Sequence, residues 1–106
     1  MKSEAIIVYC TVPDTKTAGS IAEVLVKEQL CACVNRLPAV TSHYIYDGEY
    51  CEDEEVLLII KTAEELFERL KTRIETLHPY EVPEIIATPV IAGNDSYLAW
   101  LRESVQ

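Results

Sequence analysis

A chain of 106 residues, 49% of them apolar, holds enough material for one domain with a genuine core. The formal net charge of −9 and pI near 4.6, with Lys and Arg scattered along the chain, exclude nucleic acid and anionic membranes as natural partners. No apolar run reaches the length of a spanning helix, about 18 residues, and the first residues lack the pattern of a secretion signal, so a soluble cytoplasmic protein is expected.

Residues 5–12 are rich in β-formers and stop at Pro13, after which Asp14 or Thr15 can cap a helix. Ala18, Ile21, Ala22 and Leu25 recur at helical spacing and carry that helix to about Leu30. The chain turns β again from Cys33 to Tyr46, and Asp47-Gly48 signals a tight hairpin, because both residues tolerate the positive φ of a type I′ turn. Counting outward from that turn pairs Tyr46 with Glu49, Tyr44 with Cys51 and Ser42 with Asp53, giving a long arm that continues through the apolar residues 56–60. Thr62-Ala63-Glu64-Glu65 has the form of a capping box, and Leu66, Phe67, Leu70, Ile74 and Leu77 predict a helix over about 63–78, stopped by Pro79. Residues 84–91 read as a fourth strand in which Pro89 belongs to a sheet edge, a bulge or a strand end. Asn94, Asp95 or Ser96 can cap a last short helix carrying Tyr97, Leu98, Trp100 and Leu101.

The order β-α-β-β-α-β, with a trailing helix, predicts a single α+β domain over residues 1–106 with the ferredoxin-like sandwich fold, two helices covering one face of an antiparallel sheet. The other face is short of cover. Residues 6–8 and 56–60 are apolar at consecutive positions, so both faces of those strands require burial, and one short C-terminal helix is all that remains. Self-association supplies the missing layer, and the long arm and the strand holding Pro89 offer edges for a neighbour.

The chemistry is sparse. There is no nucleophile elbow and no glycine-rich phosphate loop, and the chain has only three glycines, so no enzyme is expected. Cys10, Cys31, Cys33 and Cys51 are read as reduced thiols, the last three as small packed side chains, since Cys31-x-Cys33 lacks the spacing of a redox or zinc pair. The acidic run of Asp47, Glu49, Glu52, Asp53, Glu54 and Glu55 lacks the spacing of a calcium loop and reads as a solvated arm, and His43 reads as an ordinary strand histidine. In "LHPYEVPEI", Pro79 ends a helix and biases His78 away from α geometry, while Pro83 stiffens the approach to the fourth strand. His78, Tyr80 and Glu84 therefore sit on a restrained connection. That suits a site, or else His78 merely caps the carbonyls at the helix end.

"CTVPD", "CACVN", "YIYDGE", "KT" before the second helix, "LHPYEVPEI" and the closing "YLAWLRESV" together resemble the CutA family of divalent-cation-tolerance proteins, from about residue 5 to the C-terminus. The resemblance implies a ferredoxin-like subunit in a homotrimer like that of the PII signalling proteins, with strands pairing between subunits, and binding of copper or other divalent cations. It also implies a copper site with Cys10 and two consecutive histidines before the proline. Here His78 is present and Leu77 replaces the other, so Glu84 or a water is assigned as the missing donor. The arm departs from the family as well, with Tyr44-Ile45-Tyr46 where an aromatic pair ending in Trp is common.

Two readings follow. The first is a cytoplasmic homotrimer that binds Cu(II) or another divalent cation through Cys10, His78 and Glu84 and serves metal-ion tolerance. The second is a PII-like regulatory or scaffolding trimer that takes a small molecule or partner protein in clefts between subunits, with Lys61, Tyr80 and Glu84 as the cleft's polar groups. A third possibility, Cys10 as an enzymatic nucleophile, requires a reactive thiolate at neutral pH.

Overall fold

The computed structural model describes residues 4–105. Four strands, β1 (Ala5–Val12), β2 (Cys33–Tyr46), β3 (Glu49–Ala63) and β4 (Ile86–Pro89), form one antiparallel sheet in the order β2-β3-β1-β4. With α1 (Thr15–Lys27) and α2 (Phe67–Leu77) between strands and α3 (Asp95–Glu103) trailing, this is the ferredoxin-like arrangement.

Alternation along the strands builds the core. Val8, Cys10 and Val12 on β1 and Val56, Leu58 and Ile60 on β3 point to one face, where Ala18, Ile21 and Leu25 of α1 and Leu70 and Ile74 of α2 close over them. With that face occupied, α3 packs on β1 and β3 from the other side and buries Leu101, which stands outside the core cluster. Ile7, Tyr9, Leu57 and Ile59, on the α3 face, stay only half-buried.

The hairpin follows its turn chemistry. Asp47 and Gly48 take φ of 54° and 80°, and the pairs Tyr46–Glu49, Tyr44–Cys51 and Ser42–Asp53 form as the turn dictates. Nearer the body the register shifts between Leu37 and Val40, where Pro38 and Ala39 stand against one residue of β3 and Ala39 adopts φ of 63°. Asp14 caps α1 by accepting from the Thr17 amide, and Asn94 caps α3 by accepting from the amides of Ser96 and Tyr97.

Several boundaries differ from the sequence reading. The capping box at Thr62 does not form. β3 runs on to Ala63, which pairs with Ala5, because the Thr62 hydroxyl is buried and donates to the Leu30 carbonyl at 2.8 Å. A 3₁₀ turn at Glu64–Leu66 then leads into α2, four residues later than expected. The first helix ends at Lys27 instead of Leu30, with Gln29 in the left-handed region at φ of 59°. The fourth strand is only Ile86–Pro89, half the expected length, and pairs with Ile6 to Tyr9 of the eight-residue β1, residues 84 and 85 remaining in the connection that follows α2. Pro89 is the last residue of this edge strand, where its missing amide donor costs no ladder hydrogen bond.

Candidate functional site

The end of β1, the C-terminus of α2 and the root of the hairpin arm meet at one place. Pro79 stops α2 at Leu77 and holds His78 extended (φ −80°, ψ 135°), which swings the imidazole away from the helix end. Its ring does not cap the helix carbonyls. Nε2 lies 2.8 Å from the Thr11 carbonyl on β1, and the Tyr80 amide donates to Nδ1 at 3.1 Å. An amide can only donate, so Nδ1 carries the lone pair and Nε2 carries the proton it gives to Thr11. His78 is 8% exposed, and its ring lies 4.7 Å, centroid to centroid, from the tilted ring of Tyr80.

Cys10 reaches the same carbonyl from within β1, its thiol donating to the Thr11 oxygen at 3.8 Å. The side chain is completely buried, and its pKa is pushed up to about 12, first by burial and then by the negative charges of Glu84 and Glu55. A thiol held protonated that far above neutrality is a poor nucleophile, which argues against the enzymatic reading of Cys10.

Glu55 is the residue that the sequence reading placed wrongly in the solvated acidic run. It is 5% exposed, at the point where β3 passes from the arm into the body, and accepts from the Tyr80 hydroxyl at 2.7 Å. That phenol is pushed above its usual pKa by burial and by the bond to Glu55. Farther out on the arm the Tyr44 hydroxyl donates to Asp53, and His43 Nδ1 is hydrogen-bonded to the Tyr50 hydroxyl at 2.6 Å.

Between the arm and residues 79–84 lies an open cleft of about 730 Å³. Tyr44 and Tyr46 face it from the arm, Tyr80, Glu81 and Glu84 from the loop, and Glu55 from the junction. The structure thus brings Cys10, His78, Glu84 and Tyr80 into one neighbourhood. Lys61 is not part of it within the subunit; its ammonium donates to the Asn35 side chain, and it does not line the cleft. Among the described residues, no three His, Cys, Asp or Glu side chains are close enough together to hold a metal ion. With both ring nitrogens of His78 engaged and Cys10 protonated, a single subunit does not present a closed donor set for copper.

Residues 6–104 match the family described as CutA1 divalent ion tolerance protein. The chain belongs to that family. It is 51% identical over 98 residues to the divalent-cation tolerance protein CutA of Thermus thermophilus, covering 92% of this chain and 95% of the relative. It is 43% identical over 102 residues to the chloroplastic protein CutA of Arabidopsis thaliana, covering 96% of this chain but 56% of that longer relative. The solved structure of the Thermus thermophilus divalent cation tolerance protein superposes with a TM-score of 0.94 at 49% identity, covering 96% of this chain and 99% of that one. The Thermus thermophilus relative is named for tolerance of divalent cations, and the CutA resemblance carried by the HPY and YLAW motifs is borne out.

Proposed function

We propose that this chain is a homotrimeric, divalent-cation-responsive protein without enzymatic activity, taking Cu(II) through Cys10, His78 and Glu84 in the cytoplasm. The carrying observation is convergence: the Cys10 thiol and the His78 imidazole turn on one carbonyl, that of Thr11, and the charge of Glu84 acts on the same thiol. Thiolate and imidazole donors favour copper over magnesium or calcium, and metal binding can displace a thiol proton. Because the donors do not close around an ion within one subunit, the site is completed where subunits meet. Assembly is favoured by the thinly covered α3 face, by the short edge strand β4 with Ile86 exposed, and by Ile91, 93% exposed just beyond it. The cytoplasmic assignment draws on four free cysteines, which a reducing compartment preserves.

Calorimetric titration of the metal-free protein with Cu(II) tests this reading. Cys10→Ser and His78→Ala are each expected to weaken copper binding by about tenfold or more, the loss of one of few donors, with the assembly intact. Equal affinity in wild type and both variants discards the site.

The cleft favours a second reading, a PII-like regulatory or scaffolding trimer binding a small molecule beside Tyr80 and Glu84. Its volume lies in the range of metabolite sites, about 300–1,000 Å³. In that reading Lys61 comes from a neighbouring subunit.

A further inference from the structure

We propose that the backbone amide of Tyr80 is the gate of the metal site: it leaves the His78 ring whenever that ring takes a divalent cation, so that metal binding shifts residues 79–84 and pulls on the root of the arm. This deepens the first reading above and rests on it, since it requires that His78 hold the ion.

The lone pair of the ring decides the matter. A neutral imidazole has one ring nitrogen free to accept, and here that nitrogen is Nδ1, which accepts from the Tyr80 amide at 3.1 Å while Nε2 gives its proton to the Thr11 carbonyl at 2.8 Å. An ion at Nδ1 takes the place of the amide directly. An ion at Nε2 requires the other tautomer, which puts a proton on Nδ1 and sets it against the N–H of Tyr80, donor against donor. Whichever nitrogen is used, the amide has to move.

It does not move alone, because Tyr80 is fastened at its other end. The hydroxyl donates to Glu55 at 2.7 Å, and Glu55 is 5% exposed and pairs with Val40, next to the bulge where β2 and β3 change register. A displaced Tyr80 backbone therefore strains the phenol bond or draws Glu55 with it, and a buried carboxylate that loses its donor is costly. By linkage the effect is mutual, so a tie that metal binding strains weakens metal binding in return. All of these bonds lie within one subunit, where His78 is already 8% exposed. A neighbour packed over the arm leaves the ring with the same single lone pair.

Hydrogen exchange and calorimetry on the assembled full chain test the gate. Exchange read at the Tyr80 amide by mass spectrometry should quicken when Cu(II) is added, the reverse of the protection that a ligand ordinarily confers. Tyr80→Phe keeps the ring and cuts the tie to Glu55, and it should bind Cu(II) about fivefold tighter, the release of one hydrogen bond. The double variant Tyr80→Phe/Glu55→Gln should keep that gain, since it also removes the freed carboxylate that could serve as a new donor. Circular dichroism verifies that each variant is folded. Slower or unchanged exchange at Tyr80, or copper binding by Tyr80→Phe no tighter than wild type, overturns the gate, as does a gain that the double variant loses. His78→Ala separates the two claims. Weaker copper binding by that variant, with Tyr80→Phe like wild type, keeps the site and overturns the gate alone; affinity equal to wild type in His78→Ala discards the site and the gate with it.

Discussion

β3 is one continuous strand with two characters. From Val56 to Ala63 its inward side chains are buried beneath two helices, with Leu58 and Ile60 entirely inaccessible, whereas from Glu49 to Glu54 it is a two-stranded ribbon whose opposed pair Ile45 and Tyr50 is 72% and 65% exposed. In the body β3 is paired on both sides, with β1 and β2, whereas along the arm it is paired with β2 alone. Cover differs as well. A ribbon of two strands has no layer against which to bury its side chains and is only marginally stable alone, so the arm depends on the body at its root and on whatever packs along its length. The root is where Glu55, Tyr80 and the bulge at Pro38 and Ala39 lie, and the candidate site shares that junction.

This contrast can be broken from either end. The largest effect belongs to the body: Leu58→Ala should destabilise the fold by about 2–5 kcal/mol, the cost of a core cavity, read from denaturant unfolding at fixed protein concentration. At the junction, Tyr80→Phe leaves the buried Glu55 carboxylate without its hydroxyl donor, and a loss of about 1–3 kcal/mol is expected. A wild-type midpoint for that variant would mean that Glu55 draws nothing from the loop.

The alkaline limb of stability should follow the buried thiols. Cys10 and Cys31 are both raised from 9.0 to about 12, chiefly by burial. Below pH 9 both states are protonated and the full stability is present; above it the unfolded chain releases protons that the folded one retains, so stability falls from about pH 9 to 12. Replacing Cys31 with Ala should flatten that limb in a melting-temperature series. Alkylation of Cys10 in the folded protein at pH 7 should be slow against a free thiol for the same reason. The smallest effect lies at the arm tip, where Ile45→Thr keeps β-propensity at an exposed position and should alter subunit stability by no more than about 0.5 kcal/mol.

The sequence was most informative where local chemistry decides the outcome. Asp47-Gly48 determines the arm's register, Pro79 determines where α2 ends and how His78 is held, and Pro89 falls at the end of an edge strand as its missing donor requires. It misled where a distant partner decides. Thr62 looks like a cap until the Leu30 carbonyl claims its hydroxyl. Glu55 is indistinguishable in sequence from its acidic neighbours. Only its position at the root, opposite Val40 just past the bulge and within reach of Tyr80, makes it a buried acceptor. Pro38 inside a strand run is a signal for that bulge, but the run alone does not say which residue becomes the extra one. The meeting of Cys10 with His78 was expected from the family resemblance; their shared contact with the Thr11 carbonyl is a matter of backbone geometry that no motif encodes.

The central claim is that neighbouring copies supply the cover missing from the α3 face, the β4 edge and the arm. Sedimentation equilibrium of the full chain at micromolar concentration tests it most directly. The expected result is a single species of about three times the 12.0 kDa subunit mass, unchanged on moderate dilution, as a large apolar interface requires. A persistent 12.0 kDa monomer would contradict it.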